Sequence, residues 1–413
     1  MEKRGKTILI LGNGFDLAHG LPTKYSDFLE FCQRVEEIWY YDLDNRKGEK
    51  SFQEEWIDTW KTDQTIQEVI MVAYKERRVE EDDEVSLDNQ ELSEIHRCLD
   101  DNIWYEYFKK LYEKRCMRGE NWIDFEAEIR FVIKKVDENS LSLADSFTDV
   151  IKKDHDFSRK LEILEECYEH TKRKASLEYK DTVKDFREKA FGDLERLTRA
   201  LEVYLSAFVE KIPINDVTRI PELLSLMPDY VINFNYTHTY EKIYERGQVY
   251  HIHGEADTKR PAGENNMVLG IDEYWVGDER NEKTNFTIFK KFSQRIQKHT
   301  GNDSYKYLKE MRKIFVEKGE VWSGNVGTLE VHPDGVSNVY VFGHSLDVTD
   351  KDILSGFIGD NSTAVTIYCR DKGTEGELIA NTIKLICEER VLDKSNYVPS
   401  KLKYIIQKKA TKK

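Results

Sequence analysis

The feature of this sequence that most constrains its fold is a short apolar run that ends in two closely spaced glycines. The run is Thr7-Ile8-Leu9-Ile10-Leu11, and the turn that follows it is Gly12-Asn13-Gly14. Isoleucine and leucine in a short run bounded by glycine are typical of a buried parallel strand that enters a tight turn. Glycines let such a turn approach a ligand, and the N–H groups that begin the next helix attract anions. The opening of the chain therefore predicts a nucleotide-binding turn between a strand and a helix.

Length and charge restrict the classes of protein that this chain can belong to. The chain has 413 residues, of which 39% are hydrophobic, and a formal net charge of −15. A chain of this length exceeds one typical core, which predicts two domains or one large domain with insertions. The acidic balance argues against a broad nucleic-acid-binding surface, because contacts to phosphates need clustered lysine and arginine.

The sequence also carries signals about its cellular compartment. No apolar run reaches the roughly 20 residues of a membrane span, and the residues before Thr7 lack the apolar core of a signal peptide. The six cysteines are scattered without a Cys-x-x-Cys pair, which favours reduced thiols over disulfides or a structural zinc. We therefore expect a cytoplasmic protein that has no membrane partner and no zinc.

Hydrophobic patterning divides the chain into a sheet-forming part and a helical part. Residues 31–227 place apolar residues at helical spacing and predict a helical insertion domain. Between residues 228 and 400, short β-branched runs alternate with helical stretches, which favours a parallel sheet covered on both faces. We predict an α/β protein in which residues 1–30 and 228–400 form one Rossmann-like domain, followed by a basic C-terminal tail at 401–413.

Polar clusters follow most of the predicted strands at the points where those strands end. The predicted strands after the insertion are residues 230–234, 249–253, 267–269, 339–342 and 364–368. The polar clusters that follow them are Asn233-Phe234-Asn235-Tyr236-Thr237-His238, His253-Gly254-Glu255, Gly270-Ile271-Asp272-Glu273 and Gly343-His344-Ser345-Leu346-Asp347. Ligands of open parallel sheets bind beyond the carboxyl ends of the strands, so these clusters predict a binding site.

The longer pattern at the start of the chain resembles the opening signature of the AbiH family, bacterial proteins associated with abortive infection by phage. That pattern is Gly12-Asn13-Gly14-Phe15-Asp16-Leu17-Ala18-His19-Gly20-Leu21-Pro22-Thr23-x-Tyr25-x-Asp27-Phe28. It is also similar to the Gly-Ala-Gly…Gly-Ile-Pro opening of sirtuin-like NAD-binding domains. The resemblance implies a sirtuin-like sheet and a nucleotide, NAD above all, that is bound by Gly12, Asn13, Gly14, Phe15, Asp16 and Pro22.

Later motifs occur in the order found in sirtuin-like defence NADases. Asn235-Tyr236 with Glu241 resembles their Asn-Tyr-Asp…Glu segment, and His253-Gly254 resembles their His-Gly pair. Gly343-x-Ser345-Leu346 with Asp350 resembles the element that contacts ribose and phosphate. The resemblance therefore adds the nucleotide contacts Tyr236, Gly254, Gly343, His344 and Ser345.

The sequence departs from the sirtuin pattern in three respects. Asp16 stands where sirtuins have a serine, and Thr237 replaces the aspartate that follows Asn-Tyr. The four-cysteine zinc module of sirtuin deacetylases is missing, so we do not expect deacetylation.

The chemistry that the resemblance implies is cleavage of the bond between nicotinamide and ribose. Its oxocarbenium-like transition state needs a nearby oxygen and an oriented water or hydroxyl. Asn235 is a candidate to orient the water or the nicotinamide amide, and His253 to accept a proton. Glu126, in the helical part, is a candidate acid, although an ordinary N-capped amphipathic helix also explains its position.

Three functional hypotheses remain open from the sequence. The preferred one is an antiphage effector that hydrolyses NAD or a related nucleotide, restrained by oligomerisation through the helical insertion until a phage-derived trigger appears. The second is a non-catalytic nucleotide sensor. The third is a nuclease in which acidic residues such as Asp272 and Glu126 hold Mg²⁺. No compact metal-ligand spacing connects His253, Asp272 and Glu273, so we expect no resident metal among them.

Overall fold

The chain forms two compact units that are each built from more than one stretch of sequence. The computed structural model describes residues 4–40, 64–79, 85–153, 159–174, 181–213, 219–301, 304–318, 321–322, 329–330, 335–396 and 400–407. The sheet unit comprises Met1–Gly20, Ile214–Glu255 and Arg295–Lys413. The helical unit comprises Leu21–Pro213 and Ala256–Gln294.

The strands of the described residues are β1 (Thr7–Leu11), β2 (Arg78–Val79), β3 (Val85–Ser86), β4 (Tyr230–Asn233), β5 (Gln248–His251), β6 (Val321–Trp322), β7 (Leu329–Glu330), β8 (Ser337–Phe342), β9 (Thr363–Cys369) and β10 (Leu402–Ile406). The α-helices are Gly14–Ala18, Tyr25–Tyr40, Gln64–Glu76, Gln90–Leu99, Ile103–Cys116, Phe125–Asn139, Phe147–Lys152, Arg159–Lys174, Val183–Val203, Pro221–Leu224, Thr239–Tyr244, Glu279–Glu282, Lys291–Gln297, Ser304–Lys318, Lys351–Gly359, Lys372–Ile386 and Glu388–Asn396.

The sheet unit is organised around a six-stranded sheet in the order β10-β9-β8-β1-β4-β5. Every neighbouring pair in this sheet is parallel, so the predicted α/β class with a parallel sheet is confirmed. The first strand of the chain lies at the centre, where Ile8 is in register with Tyr230 on one side and Val339 on the other. Two remote pieces of sequence therefore share one sheet.

Both faces of β1 are buried, which explains its continuous apolar sequence. Ile8 and Ile10 belong to one hydrophobic cluster, and Leu9 and Leu11 belong to another. Successive side chains of a strand point to opposite faces, and a parallel sheet is covered on both. A strand in this position therefore has no place for an alternating polar residue.

The strand order places a topological switch point beside β1. The chain continues from β1 to β4 and β5 on one side, whereas β8 leads to β9 and β10 on the other. Ligands of doubly wound sheets bind where the connections diverge, beyond the carboxyl ends of the strands. The turns that follow β1 and β8 border this point.

The structure differs from the sequence-based prediction at two segments. Residues 267–269 are not a strand; they are buried in the helical unit, where a short apolar run reflects burial instead of strand pairing. Conversely, part of the predicted basic tail forms β10. This strand pairs with β9, and its residue Leu402 is buried. The exposed Lys403 suits an edge strand, because charge there discourages pairing with other chains.

The helical unit is held together by polar groups that are buried among aromatic rings. The side chain of Asn102 accepts hydrogen bonds from the amides of Trp104 and Tyr105 at 3.1 and 3.2 Å, which caps the helix Ile103–Cys116. The same side chain donates to the carbonyl of Asp193 at 2.7 Å. One asparagine thus starts a helix and fixes it to the long helix Val183–Val203.

A buried lysine lies at the opposite, amino-terminal edge of the sheet. The Lys394 side chain is 3% exposed, and its Nζ donates to the carbonyl oxygen of Thr363 at 2.9 Å. Burial lowers the pKa of Lys394 to about 7. A cavity of about 590 Å³, bordered by Lys394 together with Arg390 and Lys401, lies at this edge.

We expect the free energy of unfolding of the wild-type protein to increase between about pH 7 and pH 10. The Lys394→Met variant should not show this increase. The pKa of lysine in an unfolded chain is about 10.4, so in this window the unfolded state binds more protons than the folded state and stability increases with pH. Below about pH 7, Lys394 is protonated in the folded state as well, and the full cost of burying its charge lowers the free energy of unfolding. From these values we expect a rise of about 2 to 4 kcal/mol in the wild-type protein, measured by urea unfolding across the window.

The exposed Lys403 offers a matched control in the same unit. The Lys403→Met variant should keep the wild-type dependence of stability on pH. Equal slopes in the wild-type and Lys394→Met proteins would show that Lys394 is not responsible.

Candidate functional site

The turn after β1 packs directly against the turn after β8. The amide of Gly12 donates to the carbonyl of Phe342 at 3.1 Å, and the amide of Gly14 donates to that of Gly343 at 2.8 Å. A Cβ atom on Gly14 would lie 2.8 Å from the Cα of Gly343, and one on Gly12 would lie 2.6 Å from the Cα of His344. The two glycines therefore allow two backbones to touch, and their amides are engaged inside the protein.

Asn235 connects the end of β4 to the glycine turn. Its side-chain nitrogen donates to the carbonyl of Gly12 at 3.2 Å, and its backbone amide donates to the side chain of Asn233 at 3.0 Å. The side chain of Asn235 is buried. Asn235, a candidate residue from the sequence, is thus held by one hydrogen bond from its side chain and one from its backbone.

The two positions that depart from the sirtuin pattern contact each other. Thr237 Oγ1 donates to Asp16 Oδ2 at 2.6 Å, and both side chains are buried. Asp16 stands on the short helix Gly14–Ala18, and Thr237 follows β4. The two departures from the pattern thus form one hydrogen-bonded pair.

His253 lies beside a buried carboxylate at the carboxyl edge of the sheet. His253 is 4% exposed and Asp350 is 7% exposed, and His253 Nε2 lies 3.1 Å from Asp350 Oδ1. The other carboxylate oxygen, Oδ2, lies 3.6 Å from His344 Nε2. The ring of Phe234 packs edge-on against both imidazoles, with centroids 5.3 and 4.4 Å away. The carboxylate of Asp350 thus lies beside two imidazoles.

The protonation of His344 follows from its backbone contact. The amide of Leu346 donates to His344 Nδ1 at 2.9 Å, so neutral His344 carries its proton on Nε2, the atom that faces Asp350. Leu346 itself has a positive φ of 57°. Strained backbone of this kind concentrates at functional sites.

The remaining predicted residues of the sheet unit fall into exposed and buried groups. Phe15 is fully buried against His19 and Tyr244, so its side chain is part of the core. Tyr236 stands near His253, with ring centroids 6.5 Å apart. The remaining candidates are the exposed residues Asn13 and Ser345, together with Gly254, which has a positive φ of 79°.

Two predicted residues belong to the helical unit. Glu126 Oε2 pairs with Lys291 Nζ at 2.7 Å, and the carbonyl of Pro22 accepts a hydrogen bond from the Tyr204 hydroxyl at 2.8 Å. Each residue is therefore engaged by a contact inside that unit.

Asp272, which the nuclease hypothesis assigns to Mg²⁺, and the neighbouring Glu273 are each paired with a cation. Asp272 Oδ1 lies 2.6 Å from Arg130 Nε, and Glu273 Oε2 lies 2.8 Å from Lys290 Nζ. Neither residue follows a strand. A metal ion would have to displace a positively charged partner at each of them.

The sequence analysis placed Asp350 only at the end of a motif that resembles a ribose- and phosphate-contacting element, and it did not predict a contact with His253. Its contact with His253 joins segments that are remote in the chain. No spacing of residues within either segment predicts such a contact. A buried aspartate that begins the helix Lys351–Gly359 looks in sequence like any other helix start.

Comparison with known proteins identifies one family. The model of the family described as bacteriophage abortive infection AbiH matches residues 8–369, a span that includes every candidate residue above. Comparisons with curated proteins and with solved structures find no match. In the part of the chain that the structure describes, no helix has both the length and the apolar character needed to cross a membrane.

Proposed function

This chain belongs to the AbiH family of bacteriophage abortive-infection proteins, and we propose that it serves this role by cleaving the bond between nicotinamide and ribose in NAD or a related nucleotide. The observation that carries the proposal is the buried contact between His253 and Asp350. It lies at the carboxyl edge of a parallel sheet, near a topological switch point.

The carboxylate of Asp350 gives His253 a defined task. A negative charge 3.1 Å from Nε2 stabilises the protonated imidazole. His253 then accepts a proton from the attacking water or from a ribose hydroxyl as the oxocarbenium character develops. Asn235, fixed to Gly12, orients that water or the nicotinamide amide.

The Asp16–Thr237 pair supports the sirtuin-like assignment. Both departures fall on one hydrogen-bonded pair, so they amount to a single local change in an arrangement that otherwise follows the pattern. The departures from the pattern therefore agree with a shared arrangement of the two turns.

The phosphates of the nucleotide need donors other than the glycine amides, since those of Gly12 and Gly14 already donate to the β8 turn. Ser345 stands exposed directly after that turn, and its hydroxyl supplies a donor for phosphate or ribose. The glycines then act indirectly, by holding the two turns together.

An enzyme that depletes NAD needs restraint, because uncontrolled activity would harm an uninfected cell. The helical insertion at residues 31–227 supplies this restraint by mediating oligomerisation, and a phage-derived trigger releases it.

Incubation of the purified full-length protein with NAD tests the proposal. We expect nicotinamide to be released, as measured by liquid chromatography. Binding of NAD without turnover would favour the sensor. Loss of RNA or DNA that depends on Mg²⁺ and on Asp272 or Glu126 would favour the nuclease. Mass spectrometry of the denatured, as-purified protein identifies any nucleotide that it retains.

A further inference from the structure

We propose that the sheet unit carries a divalent metal site formed by His238, His251 and Glu255. One ligand atom from each of these side chains lies within 4.8 Å of the other two, and His238 Nε2 is 3.1 Å from Glu255 Oε2. Ligands of one tetrahedral zinc ion, each about 2.0 to 2.1 Å from the metal, lie roughly 3.3 Å apart. Two histidines and one glutamate are a set that zinc binds in proteins, with its fourth position left for water.

The contacts of His251 divide its two ring nitrogens between a carbonyl and a carboxylate. His251 Nδ1 lies 2.9 Å from the carbonyl oxygen of Asn235; a carbonyl only accepts, so Nδ1 carries a proton. His251 Nε2 lies 2.8 Å from Glu241 Oε1. With the N–H at Nδ1, the lone pair of Nε2 is the one that a metal ion can accept.

A metal ion at His251 Nε2 fits the arrangement found at other metal-binding histidines. Histidines that bind metals donate their other ring N–H to a carboxylate or a backbone carbonyl, which fixes the tautomer. The bond from Nδ1 to Asn235 has this form. A second imidazole, that of His238, stands beside the first, with ring centroids 5.2 Å apart.

Glu241 adds negative charge at the same place. Its Oε1 contacts His251, whereas its Oε2 is enclosed and has no hydrogen-bond partner among the described residues. Together, Glu241 and Glu255 bring two negative charges to two imidazoles. A divalent cation would balance these two charges.

The metal site would stabilise the ends of two neighbouring strands. His251 ends β5, and the carbonyl that it contacts belongs to Asn235, just beyond β4. His238 and Glu241 come from the start of the helix Thr239–Tyr244. The inference does not rest on the proposed function, because an ion that joins these segments has a structural role whether or not NAD is cleaved.

Zinc binding by the full-length, tag-free protein tests the site. After treatment with a chelator and dialysis, we expect calorimetric titration with ZnCl₂ to show one ion per chain at this site and a rise in the melting temperature. Removal of a ligand in His251→Ala should weaken binding by about 100-fold or more, since loss of a supporting residue alone costs 10- to 100-fold. The control His170→Ala changes an exposed histidine of the helical unit and should bind zinc like the wild type.

The Glu255→Gln variant keeps the proposal testable if His251→Ala does not fold. The side chain of Glu255 is 30% exposed, so an isosteric amide is tolerated, and we expect zinc affinity to fall at least about tenfold. Absence of zinc binding by the wild type, or wild-type affinity in both Glu255→Gln and His238→Ala, would overturn the proposal. Nicotinamide release is measured separately, so failure of either proposal can be told from failure of the other.

Discussion

The His253→Ala variant is expected to release nicotinamide from NAD about 100- to 10,000-fold more slowly than the wild-type protein, the range lost with a general acid or base. His253 contacts Asp350 at the carboxyl edge of the sheet, and alanine removes the group that accepts the proton. The fold should persist, as judged by circular dichroism. Initial rates of nicotinamide release at saturating NAD measure the effect.

The Asp350→Asn variant separates the charge of this pair from its shape. Asparagine fills the same space but does not stabilise a protonated His253, so we expect a clear loss of turnover with NAD binding retained. The matched control is His299→Asn. His299 is an exposed histidine of the same unit with a positive φ of 52°, a conformation that asparagine tolerates. Full activity in His253→Ala would show that the catalytic centre lies elsewhere.

The Gly343→Ala variant is expected to lose about 4 kcal/mol or more of its free energy of unfolding, an exceptional loss for a single substitution. Gly343 has a positive φ of 70°, and its Cβ would lie 2.3 Å from the amide nitrogen of Phe15 and 2.6 Å from the carbonyl carbon of Gly14. Both are backbone atoms of the β1 turn, so no side chain can rotate away. Urea unfolding measures the loss.

Gly20 provides the control for this substitution. Its φ of 78° is also positive, but a Cβ there would meet no described atom within 4 Å. Gly20→Ala should therefore cost only backbone strain, about 1 to 2 kcal/mol. Equal losses in the two variants would mean that contact between the β1 and β8 turns does not explain the need for glycine at 343.

An apolar run correctly predicts a strand at β1 and wrongly predicts one at residues 267–269 for the same physical reason. A continuous apolar run reports that a segment is buried on all sides, and Ile8 to Leu11 and Met267 to Leu269 are both buried. Only the first is paired with neighbouring strands. Strand pairing depends on partners remote in the chain, so a short apolar run does not reveal it.

The glycine turn after β1 is another feature whose sequence shows a constraint but not its partner. The spacing of Gly12 and Gly14 predicted a cradle for phosphate, yet both amides donate to the β8 turn. Glycine marks a close approach of some group to the backbone. Its position in the sequence does not say whether that group is a ligand or another turn.

The sequence by itself determined the α/β class, the parallel sheet and membership of the AbiH family, which the match over residues 8–369 confirmed. These follow from local periodicity and from ordered motifs, which are properties of contiguous residues. Only the tertiary structure decided which polar side chains meet: His253 with Asp350, Asp16 with Thr237, and His251 with Glu241. The order of the strands in the sheet sets those contacts. The residues of a strand show that it is buried, but they do not show which strands lie beside it.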